Sequence, residues 1–165
     1  MGIKSKIISV LAAIFSKEIA VILIAALPIF ELRLAIPLGI AKFNLPVFKV
    51  YYLSLLGNML PVLPLLFSLK SFFHKLEDIK FLSGFFKWWF RRVERKSKVV
   101  ERWGFWGLII FVAIPLPMTG AWTGAAAATL FEIRIRKAFL AILIGVGIAG
   151  IIVALLTNET VKLLG

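Results

Sequence analysis

A chain of 165 residues with 61% apolar side chains and a mean hydropathy of +1.00 exceeds the ~45–50% apolar content of soluble domains, yet it carries 20 basic against 8 acidic groups, a formal charge of +12. Oil and charge are segregated: residues 103–131 and 138–158 contain no charged side chain, whereas 70–102 hold ten Lys/Arg and four Asp/Glu. Uncharged runs longer than ~18 residues mark membrane-spanning or membrane-inserted segments, which excludes a soluble enzyme.

In chain order, Lys4 and Lys6 precede an apolar Ile7–Phe15 in the manner of a signal peptide. Ser16-Lys17-Glu18 follows where a small-residue cleavage site would stand, so residues 1–17 are expected to form an interfacial helix. The first repeat, 18–69, opens with Ile19–Leu27, breaks over Pro28-Ile-Phe-Glu31-Leu-Arg33-Leu-Ala-Ile-Pro37-Leu-Gly39, and resumes at Leu38–Ala41. Each arm is too short to cross ~30 Å at ~1.5 Å per residue. A straight span would bring Glu31, Arg33 and two prolines to mid-membrane, at about 2.5–3.5 kcal/mol per charge. A re-entrant hairpin broken at Pro28 and Pro37 accommodates all four. A span over Pro46–Leu69 follows, interrupted by Asn58 and Pro61.

Residues 70–102 form a basic linker in which Phe72, Phe73, Leu76, Ile79, Phe86, Trp89 and Val93 recur at helical spacing among lysines and arginines. The pattern fits an amphipathic segment on an anionic inner leaflet, and the positive-inside rule places it in the cytoplasm. That rule explains the basic stretch more simply than nucleic-acid binding does. The second repeat, 103–158, repeats the order of features. Gly104–Ile114 enters a second break, Pro115-Leu-Pro117-Met-Thr119-Gly120-Ala-Trp122-Thr123-Gly124, which Ala125–Phe131 leaves. Ala138–Thr157 is the second span, with Gly145, Gly147 and Gly150 for close helix approach, and 159–165 is a tail.

An offset of 87 residues aligns Pro28 with Pro115, although the repeat rests on the order of features more than on identities. A hairpin plus one span is an odd number of crossings, so the second copy would be inverted and the two tips would meet near the midplane. The expected fold is a single all-α integral membrane domain over 1–165, made of two inverted repeats.

The chemistry concentrates at the breaks. Glu31 and Arg33 are the one acid and one base expected deep in oil. A carboxyl taken out of water favours its protonated form and can exchange a proton near neutral pH, while a neighbouring guanidinium can neutralise it or clamp an anion. The competing reading is a static pair, or an arginine that snorkels to the interface. Thr119, Trp122 and Thr123, with Gly120 and Gly124, offer neutral hydrogen bonds and close backbone approach at the second tip; the competing reading is GxxxG helix packing. Asn58 reads as interhelical glue or a secondary polar contact. Glu132, Arg134 and Arg136 read as a solvated edge. The chain has no cysteine, so disulfides and thiolate chemistry are excluded, and His74 alone cannot build a multi-His metal centre. HExxH, GxSxG and P-loop motifs are absent, and the sole aspartate, Asp78, lies in the basic linker. No enzyme, cofactor or metal site is expected.

Glu31-Leu-Arg-Leu-Ala-Ile-Pro37, Gly57-Asn58-Met-Leu-Pro61-Val, Ala113-Ile-Pro-Leu-Pro-Met-Thr-Gly-Ala-Trp-Thr-Gly124 and Gly145-Val-Gly-Ile-Ala-Gly150 together resemble the small multidrug export proteins of bacteria and archaea. The resemblance spans residues 19–157 in order, with Met118 where that family usually has glycine. The family in turn resembles a remote branch of the DedA-like (VTT-domain) superfamily. That likeness implies paired re-entrant hairpins in inverted repeats, and proton-dependent drug tolerance or lipid-carrier flipping. DedA proteins carry arginines around the second hairpin's proline; here Ala113 and Met118 occupy comparable places.

The expected function is proton-coupled secondary transport or export of a small or amphipathic substrate at the inner membrane. Glu31 would carry the proton, Arg33 would partner it or clamp an anion, and the second tip would form a neutral wall. Two alternatives stand beside it: a lipid or lipid-carrier flippase, and a non-transport membrane-assembly protein. The expected partners are membrane lipids, protons, the substrate and a second copy of the chain, because two complete spans enclose an aqueous path poorly.

Overall fold

Proline decides where the first helix stops. The structure, a computed structural model, describes residues 14–73, 91–115 and 119–164, and every regular element among them is helical. Helix α1, Lys17–Ala26, starts where the Ser16 hydroxyl accepts the Ile19 N–H at 3.4 Å. It ends at Leu27, whose φ of −75° and ψ of 135° are extended, because a residue before proline is pushed out of the α region.

Helix α2, Glu31–Pro37, runs on into a π turn, Leu38–Lys42. Pro37 therefore lies inside the return arm and does not break it, contrary to the expectation from sequence. A mid-helix proline removes an N–H and crowds the preceding turn; the wider i→i+5 winding that follows, with the Phe43 N–H on the Leu38 carbonyl at 3.0 Å, accommodates it. The break is confined to 27–30, so Glu31 and Arg33 begin the return arm.

Helix α1, helix α2 and helix α3, Val47–Met59, pack on one another. The Lys17 ammonium donates to the Phe43 carbonyl at 3.3 Å, and Lys49 bonds Glu18 at 2.8 Å. These two contacts bring the start of α1, the end of the return arm and the start of α3 to one level, so α1 and α2 form a helical hairpin with its base closed. At ~1.5 Å per residue, the ten residues of α1 carry the tip about 15 Å from that base.

Helix α4, Val62–Phe73, follows α3 directly. Pro61 precedes it and Pro64 is its third residue, positions whose N–H groups have no intrahelical partner in any helix. Residues 91–96 are helical, and helix α5, Lys98–Ala113, comes next. Inside α5, Gly104 turns the chain at φ 52° and ψ −117°, a conformation that costs glycine least. Gly107 then lies so near the Val99 carbonyl that a side chain there would strike backbone. The arm that enters the second break is therefore 105–113. It stops at Ile114, extended at φ −79° and ψ 116° before Pro115, as Leu27 does before Pro28.

Helix α6, Ala121–Leu130, returns against α5, and helix α7, Ile135–Leu164, is the longest element. Asn44 and Glu132 take left-handed conformations (φ 52° and 53°) at the ends of the two return arms. Two helical stretches, Val47–Leu69 and Ile135–Leu163, are long and apolar enough to cross a membrane. Their exposed positions are oily: Phe48, Tyr52, Leu56 and Leu60 recur every fourth residue along α3.

The chain forms two compact units, residues 1–60 with 147–165, and residues 61–146. Residues 1–13 of the expected interfacial helix, and Leu76, Ile79, Phe86, Trp89, His74 and Asp78 of the basic linker, lie outside the described residues. So do Pro117 and Met118.

Candidate functional site

The first tip is built by a backbone that cannot continue as a helix. After Pro28, the Phe30 and Glu31 N–H groups both reach back to the Leu27 carbonyl, at 3.2 and 2.9 Å. This closure puts Glu31 at φ 49°, a left-handed conformation that costs a side-chain-bearing residue about 1–2 kcal/mol. Glu31 is 7% exposed and is the one charged member of the buried set among the described residues. Arg33 is half-buried, and the charge of Glu31 acts on it. Two residues apart on a helix, their side chains leave on different faces. Pro28 at the apex is exposed and Pro37 half-buried.

Asn58 and Ser54 belong to the same unit. Ser54 is 0% and Asn58 1% exposed, and neither the Ser54 hydroxyl nor the Asn58 amide has a hydrogen-bond partner. Interhelical glue needs an acceptor or donor across an interface, and among the described residues Asn58 has none. Ser54 was not legible as a site residue, because a lone serine in an apolar run is commonplace; its spacing of four from Asn58 was the available signal.

The second tip is neutral. Pro115 is half-buried. The buried Thr119 hydroxyl donates to the Ile114 carbonyl at 2.8 Å, meeting one of the acceptors that the end of α5 leaves open. Gly120 precedes α6 at φ 139° and ψ −167°, a backbone that other residues rarely adopt. Trp122, Thr123 and Gly124 lie in the first turn of α6, one element later than expected, and the Thr123 hydroxyl bonds back to the Gly120 carbonyl at 3.3 Å. Trp122 and Thr123 are half-buried. A Cβ on Gly124 would stand 2.6 Å from Val112 Cγ2, and one on Gly145 would stand 2.7 Å from Val112 Cβ. Val112 is thus wedged between two glycine-backed helices, the arrangement expected of small-residue packing. The hydroxyls here brace backbone.

Among the described residues, no group of three His, Asp or Glu side chains could hold a metal ion. Residues 31–152 match the family described as "Putative small multi-drug export protein". The chain belongs to that family. The match begins at Glu31 itself and takes in the return arm of the first hairpin, the second hairpin and most of both span-capable helices, so this is a membrane protein of an export family. No curated protein and no solved structure matches the chain.

Proposed function

We propose that the protein exports a small or amphipathic substrate across the cell membrane by proton-coupled secondary transport, with Glu31 as the proton carrier. The observation that carries this reading is a buried carboxyl held in a strained left-handed backbone at the tip of a closed hairpin, in a chain whose family is named for export. Strained backbone is kept where surrounding structure over-determines it, most often at functional positions. Burial of an ionisable group in a membrane protein marks a substrate or proton path by default.

In this arrangement both hairpins are re-entrant and belong to inverted repeats, and the basic stretch 70–102 lies in the cytoplasm. Broken helices at membrane depth persist only where protein or a wet cavity surrounds them, which supports a transport path beside the tips. Arg33 neutralises Glu31 when the acid is ionised or holds an anionic group of the substrate. Two span-capable helices are few for an aqueous path, and the oily exposed stripe on α3 supports a homodimer.

Reconstitution of the full chain in liposomes with an imposed pH gradient tests the reading. Gradient-driven efflux of a cationic dye such as ethidium is expected, and Glu31→Gln should abolish it while expression persists. Gradient-insensitive transfer of labelled phospholipid or polyprenyl phosphate in place of dye efflux would favour a flippase. No flux of either kind would favour an assembly role.

A further inference from the structure

Among the described residues, three buried polar atoms have no hydrogen-bond partner, and all lie in the first unit: Ser54 Oγ and both amide atoms of Asn58. Each unmet buried donor or acceptor costs about 1–3 kcal/mol, and buried polar groups without protein partners are the usual seats of internal water. The two residues are one helical turn apart, so their Cβ atoms lie about 5–6 Å from each other. Two hydrogen bonds of about 2.8 Å span that gap, and a water placed there finds the two to four polar partners it needs.

The surroundings fix where this pair points. Val50 packs on Gly39, and Gly57 packs on the Ile22 carbonyl and Ala25, so that edge of α3 faces the hairpin. Tyr51 faces α7: its hydroxyl donates to the Gly147 carbonyl at 3.2 Å, and a Cβ on Gly150 would lie 2.9 Å from its ring. At 3.6 residues per turn, Ser54 and Asn58 fall between these two edges. They aim into the wedge between hairpin and α7, where a Cβ on Gly150 would also meet Ile36 at 3.9 Å. Their depth follows from register. Lys49 stands level with Glu18, and Gly57 level with Ile22 and Ala25, so α3 climbs alongside α1. Asn58 therefore reaches the level of the hairpin tip, where Leu27 receives the Glu31 N–H.

We propose that Ser54 and Asn58 hold a bridging internal water at the depth of Glu31, and that this hydrated pair relays protons to and from the Glu31 carboxyl. The proposal rests on the proton-coupled reading above. The carboxyl O–H breaks as an O–H forms on the water oxygen, and the resulting hydronium passes one of its other protons to water in the transport path proposed beside the tip and is again neutral. Neither Ser54 nor Asn58 changes charge; both are positioning residues. Of the titratable groups on the elements packed in this unit, Lys17, Glu18 and Lys49 sit at the hairpin base, while Arg33 and Tyr51 are part-buried within it. The remaining described ones are exposed.

Two measurements test this. Water-edited solid-state NMR of the wild-type chain in lipid should show rapid magnetisation transfer from water to the Asn58 side-chain nitrogen; a dry Asn58 overturns the proposal whatever the flux assay shows. In ethidium-loaded liposomes with a pH gradient, Ser54→Ala and Asn58→Leu should each cut efflux at least tenfold, and Ser54→Thr, which keeps the hydroxyl, should restore it. Variants that melt higher than wild type and keep the full pH dependence would identify the pair as an unmet core defect, and would overturn the relay while leaving export standing. A wild-type chain without flux but with a hydrated Asn58 would overturn the export reading and the relay, and keep only the water site.

Discussion

Both hairpins stop their first arm in the same way, at an extended residue before a proline, but their tips are opposites. The first reverses through Glu31, a bulky acid in a left-handed conformation that glycine would adopt without strain. At the second, Gly120 leads into α6, the Thr119 hydroxyl donates to the Ile114 carbonyl, and four consecutive alanines, Ala125–Ala128, are fully buried behind it. One tip keeps a costly residue where a cheaper one would fold better; the other is optimised for packing. On the export reading proposed above, the contrast gives the chemistry to the first tip and the mechanical support to the second.

The sharpest way to break that contrast is to exchange the losses. Glu31→Gln should lower gradient-driven ethidium efflux by more than tenfold, whereas Thr119→Val should leave its pH dependence intact and cost about 1 kcal/mol of stability, the worth of one hydrogen bond. A Thr119→Val variant that loses proton coupling while remaining folded would reassign the chemistry.

Packing gives the next largest effects. Gly57→Ala sets a methyl against the Ile22 carbonyl, a backbone atom that cannot swing aside, and should destabilise by about 3 kcal/mol. Gly124→Ala meets the side chain of Val112, which can shift, and should cost about 1–2 kcal/mol. Thermal unfolding in detergent ranks the pair; the reverse order would mean that the second hairpin is the stiffer one.

Backbone strain at the first tip is testable by comparing two variants that both lack the carboxyl. Glu31→Gly should be more stable than Glu31→Gln by about 1 kcal/mol, because only glycine relaxes at a φ of 49°. Equal melting temperatures would show that the tip carries no strain.

The smallest effect lies at the hairpin base. The Lys49 ammonium, by hydrogen bond and then by charge, holds the Glu18 carboxyl below the ordinary carboxylate range. A depressed folded value means the bridge contributes above that range and is lost as pH falls through the folded value. Wild type should therefore outlast Lys49→Met slightly at pH 7, and the gap should close in acid. A gap that persists when Glu18 is protonated would assign the effect to packing of the lysine stem.

Much of the fold was legible. Apolar runs locate both span-capable helices, and prolines locate the ends of both entering arms, since proline acts on its own neighbours and needs no tertiary partner to do so. Pro37 misled for a complementary reason: its missing N–H can be absorbed by wider winding, and nothing local tells a π turn from a break. Trp122, Thr123 and Gly124 open α6, because the helix starts directly after Gly120. The burial of Glu31 was anticipated from its place in an apolar run. Its left-handed backbone was not, since that follows from closing the turn onto Leu27. The role of Gly57 depends on how near the Ile22 carbonyl comes, and the absence of partners for Asn58 depends on what surrounds it; both are tertiary facts.

The length of α1 has an electrical consequence. On the re-entrant reading, with the hairpin base at the membrane surface, a tip about 15 Å from that base would stand halfway through a hydrocarbon layer of ~30 Å. In a re-entrant hairpin, a proton arriving at Glu31 from one side has then traversed roughly half of the transmembrane voltage, worth about 1.2 kcal/mol per 100 mV. Loading of that carboxyl would answer to membrane potential as well as to acidity, and the same acid would fill more readily from the positive face of an energised cell than from the negative one.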